Sequence, residues 1–159
     1  MKQGSIHMTS LQSLLGHRVE APAEWTGPVP VSDIDAAQFW DGLRSHQLVI
    51  RRCADCRFWI HPPLAGCPNC RSMNVGAEPV SGRGTLYAFT VVNREFAPGV
   101  KPPYVAAYVD LVEQDSLRLL TNIVNARIGD LTNDMAVQVV YHDIGDETLA
   151  YFEPVGQES

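Results

Sequence analysis

Cys53-Ala-Asp-Cys56 and Cys67-Pro-Asn-Cys70 hold all four cysteines of the 159-residue chain within eighteen positions. Each Cys-x-x-Cys knuckle can aim two thiolates at one point, and two facing knuckles make a closed tetrahedral S4 cage. That is the set structural zinc prefers, and it leaves no coordination position for water or substrate. Iron in an S4 cage uses the same ligands, and two disulfides would suit a secreted chain. A thioredoxin-like redox pair needs one knuckle beside a βαβ unit, whereas this chain has two knuckles and no such unit. The expectation is one structural zinc per chain, held by Cys53, Cys56, Cys67 and Cys70. With every thiol committed to metal, no cysteine remains as a nucleophile.

Other chemistry is sparse. Ser81-Gly82-Arg83-Gly84 opens into a strand, whereas phosphate-binding glycine loops open into a helix, so a tight turn or bulge is expected. His61 is the one nearby non-cysteine residue able to bind metal, and with four thiolates present it reads as a loop residue. His142 and Asp143 are adjacent on a strand and should point to opposite faces. No Ser-His-Asp order, metal-histidine helix or carboxylate pair stands out.

The net charge of −6 is unevenly spread. Arg44, Arg51, Arg52, Arg57, Arg71 and Arg83 face only Asp55 and Glu78 between positions 44 and 83, a local net of +4 that leaves −10 elsewhere. A bulk acidic chain is a poor general binder of nucleic acid, yet a basic patch beside the cage can hold a few phosphates of a small ligand. No apolar run approaches the ~20 residues of a membrane span. Met1 to Ser10 lacks both a signal core and transit-peptide character. Reduced, metal-bound cysteines fit the cytoplasm.

The elements around the cysteines follow from patterning. Residues 1–31 read as a flexible tail and linker, with a short helical pattern at Leu11, Leu14 and Leu15 and a proline-rich stretch at Pro22, Pro28 and Pro30. A leading helix is expected over 32–47, capped by Ser32 or Asp33, with Phe39, Trp40 and Leu43 on its apolar face. The metal ribbon takes 48–77, built from the strand Leu48 to Arg52 and the return strand Phe58-Trp59-Ile60. From 78 to 156 five strands are expected: Thr85 to Asn93, Tyr104 to Val112, Leu117 to Val124, Ala136 to His142 and Thr148 to Glu153. Five short strands without a long helix suit a small closed barrel, either an OB-fold or an SH3-like one.

The residues now on the page resemble a known family: rubredoxin-like zinc-ribbon plus OB-fold proteins associated with acyl-CoA enzymes. The carriers are Phe39-Trp40, Gln47 through Cys56, His61-Pro-Pro63 and Cys67-Pro-Asn-Cys70-Arg-Ser72. Val80-Ser-Gly-Arg-Gly-Thr85, Pro103-Tyr104-Val105 and Tyr151-Phe152-Glu-Pro154 complete them. The resemblance implies a mainly β fold: a leading helix, a rubredoxin-like zinc ribbon and a C-terminal five-stranded OB-fold barrel. It also implies a non-catalytic accessory subunit that docks on a thiolase-superfamily enzyme (thiolase, acyltransferase or aldolase) in a hetero-oligomer and borders its CoA channel.

Four positions depart from the family pattern. Arg57 and Arg71 stand where glycine often follows each knuckle, Leu64 where an arginine often follows the Pro-Pro pair, and Asp134 where glycine is common. Arg51, Arg52, Arg57, Arg71 and Arg83 are the candidate contacts to CoA phosphates or to the partner, with Trp59 either an aromatic anchor offering part of its surface to the partner or packed under the leading helix beside Trp40. The competing reading is a single-stranded nucleic-acid-binding OB-fold and zinc-ribbon protein. Arg94, Lys101, Arg118 and Arg127 against ten carboxylates up to Glu153 make the barrel acidic, which argues against it.

Overall fold

The computed structural model describes residues 11–30, 34, 36–96 and 99–156. Their elements are helices α1 (Leu11–Gly16) and α2 (Ala37–Arg44) and strands β1 (Arg18–Val19), β2 (Val49–Cys53), β3 (Trp59–Ile60), β4 (Val75–Pro79) and β5 (Arg83–Val92). They continue with β6 (Tyr104–Leu111), β7 (Arg118–Ile123), β8 (Ala126–Arg127), a 3-10 turn (Ile128–Asp130), β9 (Ala136–Ile144) and β10 (Glu147–Pro154).

The five long strands close into a barrel in the order β10-β7-β6-β5-β9, with β10 and β9 paired to complete the ring. Closure removes every free edge from these strands. Only the β10–β7 contact is parallel, Phe152 lying opposite Ile123. Alternation sets the core: Leu86, Val105, Val109, Ile123, Val137 and Phe152 point inward and are fully or almost fully buried. The closed five-stranded barrel is the OB-fold that the resemblance implied, where the strand pattern had left an SH3-like barrel open, and each strand lies within two residues of its expected bounds.

The Ser-Gly-Arg-Gly stretch is structural. Gly82 has φ +71°, a left-handed conformation that side chains resist. A Cβ on Gly84 would lie 2.5 Å from the Asp110 carbonyl oxygen, so only glycine lets β5 approach β6 here. The barrel's bulge falls farther along β5, between Leu86 and Ala88.

The ribbon is a three-stranded sheet, β3-β2-β4, where the sequence indicated two strands. In β3 the alternation splits the module: Trp59 faces the main core and Ile60 packs with Cys53 and Cys67 beneath the metal cage. The free edge of β3 is closed by a side chain. Gln114, in the β6–β7 turn, accepts from the Trp59 N–H at 2.8 Å and donates to the Trp59 carbonyl at 3.2 Å. Its amide thus stands in for a strand and ties ribbon to barrel.

Two expectations change. Helix α2 begins at Ala37, with no side-chain cap on Ala36. Ser32 and Asp33, the expected caps, lie outside the described residues. Residues 11–30 are also not simply a linker. Val19 is buried, β1 pairs with β8, and Ile128 N–H donates to the His17 carbonyl at 3.0 Å, so this segment is built onto the barrel. The reason is long-range: a two-residue strand gains its hydrogen bonds from a partner more than a hundred positions away.

Helix α2 is pinned to the β9–β10 hairpin. Arg44 reaches Glu147 at 2.7 Å, and His46 Nε2 lies 2.9 Å from Asp143 Oδ1 while its ring stacks on Tyr141. Asp143 also accepts from Thr148 Oγ1 at 2.7 Å. No described helix is long and apolar enough to cross a membrane.

Candidate metal centre

Each knuckle is a short turn that folds back under its first cysteine. Arg57 N–H donates to the Cys53 carbonyl at 3.0 Å, and Arg71 N–H to the Cys67 carbonyl at 2.9 Å. The turn needs a left-handed residue after its second cysteine, and Arg57 (φ 64°) and Arg71 (φ 65°) supply it where glycine would be easier. Asp134 takes the same conformation at φ 65°.

The four Sγ atoms all lie within 4.8 Å of one another. Cys53 and Cys70 sulfurs are 3.6 Å apart, and those of Cys56 and Cys67 are 3.5 Å apart. A tetrahedron with ~2.3 Å zinc–sulfur bonds needs edges of about 3.8 Å, so the cage fits that ion. A disulfide needs ~2.05 Å, and the four thiols are free.

The electrostatics of the cage also call for a cation. Asn69 Nδ2 donates to Cys56 Sγ at 3.5 Å. That bond, and then the Phe58 backbone N–H, draw the Cys56 thiol down to about 6. At Cys70 the Ser72 N–H pulls the same way but is outweighed: bonding to Cys56, burial, and the Cys53 and Cys67 sulfurs push that thiol up to about 12. The Cys56 thiolate forms readily and Cys70 resists, because like charges would share a small volume. A divalent cation removes the conflict.

A second layer braces the knuckles. Asp55 accepts from Ser72 Oγ and, at 2.9 Å, from Asn74 Nδ2, and these two bonds hold its carboxyl below the ordinary range. His61 is half-buried beside Phe39, and burial lowers its basicity; it is absent from the cysteine cluster. His142 stacks on Tyr151 while Asp143 turns to His46 and Thr148, so that adjacent pair diverges.

The candidate arginines are only partly a free patch. Arg57 grips Glu78 with two bonds, at 2.8 and 3.0 Å, and Arg52 adds a third at 2.9 Å. Arg52, then Arg57, hold the Glu78 carboxyl below its usual range. Arg51 donates to the Leu64 carbonyl at 2.6 Å. Arg71 and Arg83 are exposed on the surface.

Trp59 is the correction in this set. It is only 6% exposed, lies in the main core, and is roofed by the Arg52 guanidinium at 4.4 Å. Its apolar neighbours in sequence suggested a surplus for a small ribbon to bury, but the barrel supplies the missing cover. Glu78 and Asp55 were read in the sequence only as counter-charges to the arginines, and Gln114 was not singled out. Only Asp55, sitting inside a knuckle, had a position that could have drawn attention.

Residues 40–75 match the family model described as ChsH2, rubredoxin-like zinc ribbon domain, and residues 77–142 match ChsH2, C-terminal OB-fold domain. Among curated proteins, the chain is 34% identical over 125 residues to the 3-oxo-4,17-pregnadiene-20-carboxyl-CoA hydratase alpha subunit of Mycobacterium tuberculosis, covering 79% of this chain and 39% of that one. It is 36% identical over 75 residues to the benzoylsuccinyl-CoA thiolase subunit BbsA of Thauera aromatica, covering 47% of this chain and 50% of that subunit. The chain thus spans half or less of the length of these curated relatives. Among solved structures, a chain of the Ltp2-ChsH2(DUF35) aldolase superposes with TM-score 0.74 at 31% identity, over 79% of this chain and 98% of that one. A DUF35 protein from Sulfolobus solfataricus, 12% identical, shares the fold with TM-score 0.56 over 77% of this chain and 87% of that one.

Proposed function

Because the chain belongs to the ChsH2 family of rubredoxin-like zinc-ribbon and OB-fold proteins, we propose that it is a non-catalytic subunit that docks on and stabilises a thiolase-like acyl-CoA enzyme. That enzyme is a thiolase, an acyltransferase or an aldolase, and the subunit borders its CoA channel in the cytoplasm. The observation that carries the reading is the likeness to nearly the whole of a chain from the Ltp2-ChsH2(DUF35) aldolase, whose name pairs two components. The cage supports it: all four thiols converge on one point, which leaves the described residues without a free nucleophilic cysteine.

Cys53, Cys56, Cys67 and Cys70 hold one zinc per chain in this reading. A zinc held by these four thiolates would clamp the two knuckles together and, with four protein ligands, would carry no reactive water. The residues themselves do the positioning: the left-handed turns at Arg57 and Arg71 aim the sulfurs, and Asp55 locks Ser72 and Asn74 against them. Arg71 and Arg83, exposed near the ribbon, are the arginines left to meet CoA phosphates or the partner. The ribbon (48–77) and the barrel (78–156) act as one body through Trp59 and Gln114.

Co-expression with the thiolase-like chains of the same source, followed by size-exclusion at micromolar concentration, tests the reading. A stable hetero-oligomer is expected, with about one zinc per chain, no colour, and no turnover of acyl-CoA thioesters by the chain alone. A red iron chromophore or paired disulfides would overturn the metal assignment. Separate elution, with tight single-stranded nucleic-acid binding at physiological salt, would replace the function with the competing one.

A further inference from the structure

On the outward face of β5, β6 and β7, Tyr87, Tyr108 and Leu120 are 47%, 45% and 63% exposed. They are contiguous: Tyr108 lies directly opposite Leu120 on β7 and opposite Ala88 on β5, one residue past Tyr87 in the bulge. The Tyr87 ring is held in place. The Arg118 guanidinium sits 3.3 Å from the Tyr87 ring centroid, and Asp110 grips Arg118 through two bonds of 2.7 and 2.9 Å. An anchor fixed before binding loses little conformational freedom on docking. Leu120 also lines an open groove of about 390 Å3, bounded by Trp25, Pro28, Phe39, Trp40 and Leu149, so a raised stripe runs into a concave apolar seam.

The structure narrows what covers this face. β5, β6 and β7 each have a strand on both sides, so no backbone edge is available and the occupant must engage side chains. Residues 84–153 carry four cations against ten carboxylates. A second copy would bring the same excess of negative charge, and nucleic-acid phosphates would be repelled. Arg118 does not offset this, since Asp110 neutralises it. What fits is a different protein with an apolar site rimmed by basic groups, meeting the tyrosine-rich surface typical of interface centres.

We propose that the Tyr87–Tyr108–Leu120 stripe, with the groove it enters, is the surface by which this chain docks on its thiolase-like subunit. The proposal rests on the functional reading above. The probe is the thiolase-like chain that co-elutes with the wild-type protein.

Tyr108→Glu/Leu120→Asp should weaken the complex by about 100-fold or more, as loss of two central anchors does. Leu11→Asp/Val155→Asp, a matching change at two other exposed apolar sites, should stay within about threefold. Thermal midpoints of both free variants should remain near wild type. Independently of any variant, hydroxyl-radical footprinting of the wild-type complex should show Tyr87 and Tyr108 protected relative to the free chain. Unprotected rings, or undiminished binding by a folded Tyr108→Glu/Leu120→Asp variant, would overturn this surface and leave the functional reading standing. A wild-type chain that dimerises through these residues would overturn it in favour of a homotypic interface. Failure of the wild type to bind any thiolase-like chain would remove both.

Discussion

Replacing Arg71 with glycine should tighten zinc binding, and replacing Arg57 should do so less. Both residues close a knuckle in the left-handed region, at φ 65° and 64°. That conformation costs an L-residue about 1–2 kcal/mol. Glycine relieves the strain, but its freer unfolded chain returns about 0.5–1 kcal/mol of the gain. The net for Arg71→Gly is about 1 kcal/mol, because its exposed side chain makes no hydrogen bond or ion pair among the described residues. Arg57→Gly relieves the same strain but releases the two bonds to Glu78 and leaves that carboxylate with Arg52 alone. Its gain should therefore shrink toward zero. Ribbon folding and zinc binding are linked, so the free energy is read as metal affinity, and about 1 kcal/mol is roughly a fivefold change. Competition with a chromophoric zinc chelator at neutral pH measures it for wild type, each single variant and the double variant. Equal gains for the two singles would show that the Glu78 bonds contribute nothing. A weaker site in Arg71→Gly would refute the strain argument itself.

Trp59→Ala should destabilise the chain by about 3–5 kcal/mol in urea unfolding, the range for removing a buried aromatic, and a loss under 1 kcal/mol would contradict its place in the core. Gly84→Ala should cost about 1–3 kcal/mol by forcing β5 from β6, while Gly76→Ala, with nothing within 4 Å of its added carbon, should not; equal effects would refute the close-approach argument. Asp143 has its carboxyl held below the ordinary 3.8, by His46 first and then by Thr148. A depressed folded value means stabilisation that is complete above the unfolded value and lost as pH falls through the folded one. Asp143→Asn should therefore lower the melting temperature at neutral pH, with a difference from wild type that closes in acid below about pH 3.8. A difference constant from neutral to acid pH would sink that assignment.

The metal cage was legible because its information is local. Two cysteines three apart on a tight turn define half a tetrahedron whatever the rest of the chain does, and the second knuckle completes it. The barrel strands were legible for a similar reason, since alternation along each strand marks its inner face before any partner is known. Arg57, Arg71 and Asp134 stand where the resembled family often has glycine, and each takes the left-handed conformation that glycine adopts most easily.

Tertiary structure decided what depends on distant partners. The fate of Trp59 turned on whether the barrel would come to cover it, and β1 on whether Ala126 and Arg127 would offer it an edge. Gln114, an ordinary turn residue in the sequence, became a strand substitute only once the β6–β7 hairpin stood beside β3. The arginine cluster that looked like an anion site is partly spent on Glu78 and on Trp59, because folding delivers a carboxylate and an indole into its midst. Spacing along the chain could specify which atoms meet inside one turn; which surfaces remain uncovered depended on contacts between segments from about twenty to more than a hundred residues apart, and those exist only in the folded chain.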